Sequence, residues 1–127
     1  MALGRHVVAD ITMCNFDILN DKDKIKELLQ ESVVAAGATE LFTYTRQFDP
    51  IGVTGVSVLA ESHITIHTWP ELGIACVDAF TCGEHTDPGK AIEHLAKRLG
   101  GTIAEATLFQ RGESFNFSDS AHLVQTQ

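Results

Sequence analysis

Paired thiols are missing from this chain. Its three cysteines, Cys14, Cys76 and Cys82, are odd in number and form no C-x-x-C pair. A disulfide framework is therefore not expected, and a thiol is left over for chemistry. Basic residues are scarce: 9 lysines and arginines against 17 acids give a formal net charge of -8. Phosphate binding wants a basic surface, which excludes nucleic acid as the main partner but permits a cationic ligand. No apolar run approaches the ~20 residues of a membrane span. The opening MALGRHVVAD lacks the long apolar stretch of a signal peptide and goes straight into a strand pattern, so the expected compartment is the cytoplasm, with no membrane partner. Internal boundaries, low-complexity tracts and charge blocks are also missing. At 127 residues the chain suits a single domain with one core.

What is present is periodicity. RHVVADITM alternates as a strand, with Val7, Ala9, Ile11 and Met13 on one face. NDKDKIKELLQESVVAAG reads as a helix. Asn20 or Asp21 caps it, Ile25, Leu28, Leu29, Ser32, Val33 and Ala36 form one stripe, and Gly37 stops it. TELFTYTRQF, VTGVSVLA, SHITIHTW and IACVDAFT read as strands, separated by DPIG, a short link at Ala60–Ser62 and PELG. A second helix follows, with Asp87 as N-cap, Pro88 at its first position and Gly100–Gly101 at its end. TIAEATLFQR is a last strand, and the polar tail from Gly112 is expected to be loosely held. The order β-α-β-β-β-β-α-β predicts an α+β fold: a two-layer α/β sandwich with a mainly antiparallel sheet and two helices on one face.

One strand carries too much chemistry for a bland reading. AESHITIHTWPE, residues 60–71, holds two histidines, a serine and two glutamates. His63 and His67 sit four apart, and Cys82-x2-His85 is also at ligand-like spacing. The β-branched residues between the histidines favour a strand, which sets the two about 13 Å apart on one face. One ion cannot bind both, and no H-E-x-x-H motif is present, so no metal is expected. Two further readings stand. The histidines are polar residues on an open sheet face, or His63, Thr65, His67 and Trp69 together form a pocket wall.

The run GVTGVSVLAESHITIHTWPELGIACVDAFTCG resembles the prokaryotic, pyruvoyl-dependent S-adenosylmethionine decarboxylase family. Its E-S-H-x-x-I-H-T-W-P-E block followed by D-x-F-T-C-G is long and specific, and GRHVVADI, F-x-P-x-G-V and DPGKAIEHL also fit. The likeness covers residues 4–101. It implies a chain that cuts itself between Glu61 and Ser62, giving fragments 1–61 and 62–127. The Ser62 hydroxyl attacks the Glu61 carbonyl, and loss of the Ser62 α-proton breaks the resulting ester by β-elimination. The new end hydrolyses to a covalent pyruvoyl group, which forms a Schiff base with the substrate amine and accepts the electron pair as carbon dioxide leaves. The product feeds spermidine, and hence polyamine, biosynthesis.

The same resemblance assigns roles. His67 is the proton-transfer group of processing. Cys82 reprotonates the substrate carbon. Thr54, where serine is expected, supports processing through its hydroxyl. Phe48, Trp69 and Glu71 line the substrate pocket: aromatic faces suit adenine and a sulfonium, and a carboxylate suits ribose hydroxyls. His63 receives no step, and Cys14 and Cys76 are read as structural thiols. A homodimer of processed protomers is implied, with sites drawing on both. Gln47, Asp49 and Leu72 depart from the family pattern. An extra acid beside the pocket keeps arginine or ornithine open as alternative substrates. A non-catalytic metabolite-binding or partner subunit is the reading from another class; retention of Ser62, His67 and Cys82 speaks against it.

Overall fold

A computed structural model describes residues 2–112, so the tail beyond Gly112 lies outside the described residues. Six strands form one sheet: β1 (Gly4–Thr12), β2 (Glu40–Gln47), β3 (Val53–Leu59), β4 (Ser62–Trp69), β5 (Ile74–Thr81) and β6 (Thr102–Arg111). Their order is β2-β3-β4-β5-β1-β6, and all five neighbouring pairs are antiparallel. The helices are α1 (Phe16–Leu19), α2 (Lys22–Ala35) and α3 (Pro88–Leu99). The α+β class, the antiparallel sheet and the two long helices are as expected.

Local chemistry fixes the helix ends. The Asp21 side chain accepts from the amides of Asp23 and Lys24, and Asp87 accepts from Gly89 ahead of α3. Gly100 ends α3 in the left-handed region, where a side chain would be strained. The helix stripe packs as expected: Ile25, Leu28, Leu29, Ser32, Val33 and Ala36 are all buried. They meet Ile11, Ile64, Ile66, Ala75, Val77 and Ala79 from the sheet and Ile92, Leu95 and Leu99 from α3. Each buried Leu or Ile contributes roughly 1.5–3 kcal/mol. Gly55 permits α2 to lie this close, since a Cβ there would come within 2.7 Å of Leu29 Cδ1.

Two expectations are corrected. Met13 does not continue the inward face of β1: its φ of 59° turns the chain and leaves the side chain exposed. The one-turn helix α1 was not anticipated; Asn15 starts it by accepting from the Ile18 amide.

With both long helices on one face, the other face of the sheet is open. It presents His6 and Val8 from β1, Cys76, Asp78 and Phe80 from β5, and His63, Thr65, His67 and Trp69 from β4, by strict alternation against the buried positions.

Candidate active site

The link between β3 and β4 is a two-residue turn, Ala60–Glu61, flanked by the pair Leu59 and Ser62. Such turns favour glycine or asparagine, and neither is here. The strain appears one residue on: Ser62 has a φ of 140°, a conformation that favours glycine. The turn is held on both sides. The Cys82 amide donates to the Glu61 carbonyl oxygen at 3.0 Å, and the Ala60 amide donates to the Thr39 carbonyl at 3.0 Å. The Glu61 carboxylate turns away from the strand, accepting from the Thr39 amide and from His85 Nε2, each at 3.0 Å. The His85 contact, then the Thr39 amide, holds the Glu61 carboxyl below its ordinary range.

Beside Ser62 lies a network on the open face. Ser62 Oγ is 3.4 Å from His63 Nδ1, and His63 Nε2 is 2.9 Å from Asp78 Oδ2. The same Asp78 oxygen meets His6 Nε2 at 2.7 Å, and Thr65 Oγ1 donates to the other one, Oδ1. Burial alone would push the Asp78 carboxyl up; the hydrogen bonds from Thr65, His6 and His63 outweigh it and hold the group below its ordinary range. Arg111 Nη1 reaches His6 Nδ1 at 2.8 Å. Arginine only donates, so His6 Nδ1 accepts and the His6 proton sits on Nε2, aimed at Asp78. His6, His63 and Asp78 bring three ligand-type atoms within 4.8 Å of one another. A metal would need the nitrogen lone pair that this His6 proton occupies.

The far end of β4 is different. A cavity of about 300 Å³ is lined by Phe48, Thr54, His67, Trp69 and Glu71, among others. Thr54 Oγ1 and His67 Nδ1 are 3.0 Å apart. Phe48 and Trp69 are 47% and 43% exposed, so their faces are free for a ligand. Five residues of strand separate Ser62 from His67, roughly 16 Å at the usual rise. Within one chain, His67 cannot reach the Ser62 hydroxyl.

Residues 5–112 match the family model described as S-adenosylmethionine decarboxylase. The chain is 46% identical over 125 residues to the S-adenosylmethionine decarboxylase proenzyme of Carboxydothermus hydrogenoformans, covering 96% of this chain and 98% of that one. The proenzyme of the same name from Moorella thermoacetica is 46% identical over 111 residues, 87% of this chain and 89% of its own. This chain belongs to the S-adenosylmethionine decarboxylase family. The crystal structure of the adenosylmethionine decarboxylase from Aquifex aeolicus superposes with a TM-score of 0.81 at 38% identity, covering 91% of this chain and 98% of that chain.

Set against the expectations for an S-adenosylmethionine decarboxylase family member, the site residues fall into two groups. Glu61, Ser62 and the Cys82 backbone are together at the turn. Thr54, His67, Phe48, Trp69 and Glu71 are together at the cavity. Gln47 does not line that cavity; its side chain binds Asn20 and the Gly52 carbonyl. Asp49 and Leu72 are not among its lining residues either. Cys14 is buried, whereas Cys76 is half-buried on the open face, paired with His67 across the strands. Sequence reasoning passed over Thr39, His6 and Asp78 and considered His85 only as a metal ligand, although Asp78 lies inside the D-x-F-T-C-G block.

Proposed function

We propose that this chain is a self-processing, pyruvoyl-dependent S-adenosylmethionine decarboxylase of spermidine biosynthesis, acting as a cytoplasmic homodimer. The observation that carries it is the strained Glu61–Ser62 peptide with the Cys82 amide on its carbonyl oxygen, 3.0 Å away. That amide stabilises negative charge on the oxygen once Ser62 Oγ adds to the carbonyl carbon. Collapse breaks the C–N bond, leaving an ester at Ser62 Oγ and a free amine. Removal of the Ser62 α-proton then expels the Glu61 carboxylate as leaving group. The new terminus at position 62, after loss of ammonia, carries a ketone, and a ketone there supplies an electron sink for decarboxylation.

His67 and Thr54 suit the proton transfers of the second step, but they stand about 16 Å along the strand from Ser62. A two-fold dimer resolves this. With open faces opposed, the His67 end of one protomer lies against the Ser62 end of its partner, and the isologous contact repeats the arrangement to give two equal sites. Each site then takes Ser62 and Cys82 from one protomer and Thr54, His67, Phe48, Trp69 and Glu71 from the other. The aromatic pair receives the adenosyl group and its sulfonium, Glu71 the ribose hydroxyls, and the Cys82 thiol returns a proton to the substrate carbon.

The cavity favours S-adenosylmethionine over arginine or ornithine, because neither Gln47 nor Asp49 lines it. The test pairs intact-mass measurement with carbon dioxide release. Purified protein is expected as fragments 1–61 and 62–127, releasing carbon dioxide from S-adenosylmethionine and not from arginine or ornithine. Uncut protein that still decarboxylates overturns the processing; activity on a basic amino acid alone overturns the substrate; cut protein inert on all three favours a binding subunit.

A further inference from the structure

The acyl shift that opens maturation needs a base at Ser62 Oγ, and His67 of the same chain is out of reach. We infer that His63 is that base, and that Asp78 is the residue that positions it. The inference rests on the self-cleavage proposed above and assigns its first step to residues of one chain.

The geometry follows the pattern of nucleophile, base and orienting carboxylate. Asp78 Oδ2, 2.9 Å from His63 Nε2, accepts its N–H. With that proton placed, the free lone pair of His63 is on Nδ1, the atom 3.4 Å from Ser62 Oγ. Asp78 is itself fixed: His6 Nε2–H binds the same oxygen at 2.7 Å and the Thr65 hydroxyl binds the other. Arg111 at His6 Nδ1 keeps His6 from turning over. The rings of His6 and His63 flank Phe80, with centroids 5.2 and 5.9 Å from it, so the imidazoles are held by packing as well.

The step balances. The Ser62 Oγ–H proton passes to His63 Nδ1 as Oγ bonds to the Glu61 carbonyl carbon. The carbonyl oxygen takes the electron pair and is met by the Cys82 amide. When the pair returns, the C–N bond breaks and the Ser62 nitrogen takes the proton from His63. The ester is formed, His63 is neutral again, and the α-proton is left for the second step. His63 and His67 thus divide the reaction: amide to ester, then ester to cut chain.

Hydroxylamine separates the two steps, because it splits esters and leaves amides. Full-length chains made by cell-free translation are followed by mass for wild type, His63→Ala, His63→Gln, Asp78→Asn and His67→Ala, with and without hydroxylamine. His63→Ala and His63→Gln are expected to slow cleavage on the order of 10²-fold. Both should stay resistant to hydroxylamine, and added imidazole should restore cleavage in the alanine variant. His67→Ala should instead build up an ester that hydroxylamine splits. The charged and titratable groups facing His63 are Asp78 on β5 and His6 on β1, with Arg111 on β6 behind His6. Asp78→Asn removes the acceptor that keeps the His63 proton on Nε2 and its lone pair on Nδ1, so cleavage should slow with no hydroxylamine-labile ester, and Asp78→Glu, which keeps the acceptor, should recover part of the rate; a carboxylate that only packed would show no such split. Two results overturn the inference while leaving self-cleavage intact: His63 variants within twofold of wild type, or a hydroxylamine-labile ester building up in them. A wild-type chain that stays uncut overturns the proposed function itself.

Discussion

At its first residue, Ser62, β4 is surrounded by hydrogen bonds made within one chain. At its last, Trp69, it ends among aromatic side chains that face solvent. The Ser62 end has a strained backbone, an amide on the carbonyl to be attacked, and a carboxylate receiving three hydrogen bonds. The Trp69 end has a cavity, a hydrogen bond between the Thr54 and His67 side chains, and half-exposed rings. For the proposed self-cleavage, bond breaking inside the chain needs no visitor, so its geometry is set in advance by folding. In the proposed dimer, substrate binding and the second proton transfer draw on groups from outside the protomer, which fits an end left open. The contrast separates what one chain does alone from what two chains do together.

The largest effect is expected at the closed end. Ser62→Ala removes the hydroxyl proposed to attack Glu61, so cleavage and carbon dioxide release should both vanish while far-UV circular dichroism stays unchanged. A cut Ser62→Ala chain would break the comparison at once.

Next is a test of whether the open end serves another chain. Ser62→Ala and His67→Ala proteins should each fail to mature as homodimers. Co-expressed, they should regain about a quarter of wild-type activity, because random pairing makes half the dimers mixed and each mixed dimer has one intact site of two. Activity that never returns would place His67 and Ser62 in the same protomer's site.

A smaller effect sharpens the open end. Trp69→Ala should raise KM for S-adenosylmethionine on the order of tenfold, from loss of stacking and of the ~1–2 kcal/mol of cation–π attraction. Its effect on maturation should be much weaker. An unchanged KM would remove Trp69 from the pocket.

The smallest effect is a slope. Asp78 has a carboxyl held below its ordinary 3.8 in the fold, so its stabilisation is complete above that value and is lost as pH falls below it. In the uncut Ser62→Ala background, thermal melting should therefore drop more steeply below pH 3.8 than when Asp78→Asn is added. Parallel curves would mean the Asp78 hydrogen bonds add no stability.

Much of this was legible in the sequence, for identifiable reasons. β4, β5 and β6 begin and end where alternation and the flanking turns put them, since Ile64, Ile66 and their β-branched neighbours leave no helical reading. The separation of His63 from His67 followed from strand rise alone. α1 was not legible, because four residues carry no helical period and the signal was a single asparagine cap. Met13 was misplaced because alternation does not reveal where a strand ends. The Asp78 network was hidden for another reason. His6, His63 and Asp78 converge only once β5 is paired with β1 on one side and β4 on the other, with Val8 and Thr65 as the residues opposite Asp78. Nothing local encodes that long-range register.

The strand order has a consequence for the life of the matured protein. A cut after Glu61 leaves β1, β2 and β3 in one fragment and β4, β5 and β6 in the other. In the order β2-β3-β4-β5-β1-β6 the two sets interleave, so three of the five pairings, β3–β4, β5–β1 and β1–β6, run between fragments. The pieces cannot part without dismantling the sheet, yet once parted they must find each other again. Folding of the precursor protomer is a first-order event; renaturation of the processed one is second-order, so its yield depends on dilution. The proposed cleavage would thereby make the enzyme a one-way product, assembled once as a single chain and poorly recoverable after denaturation.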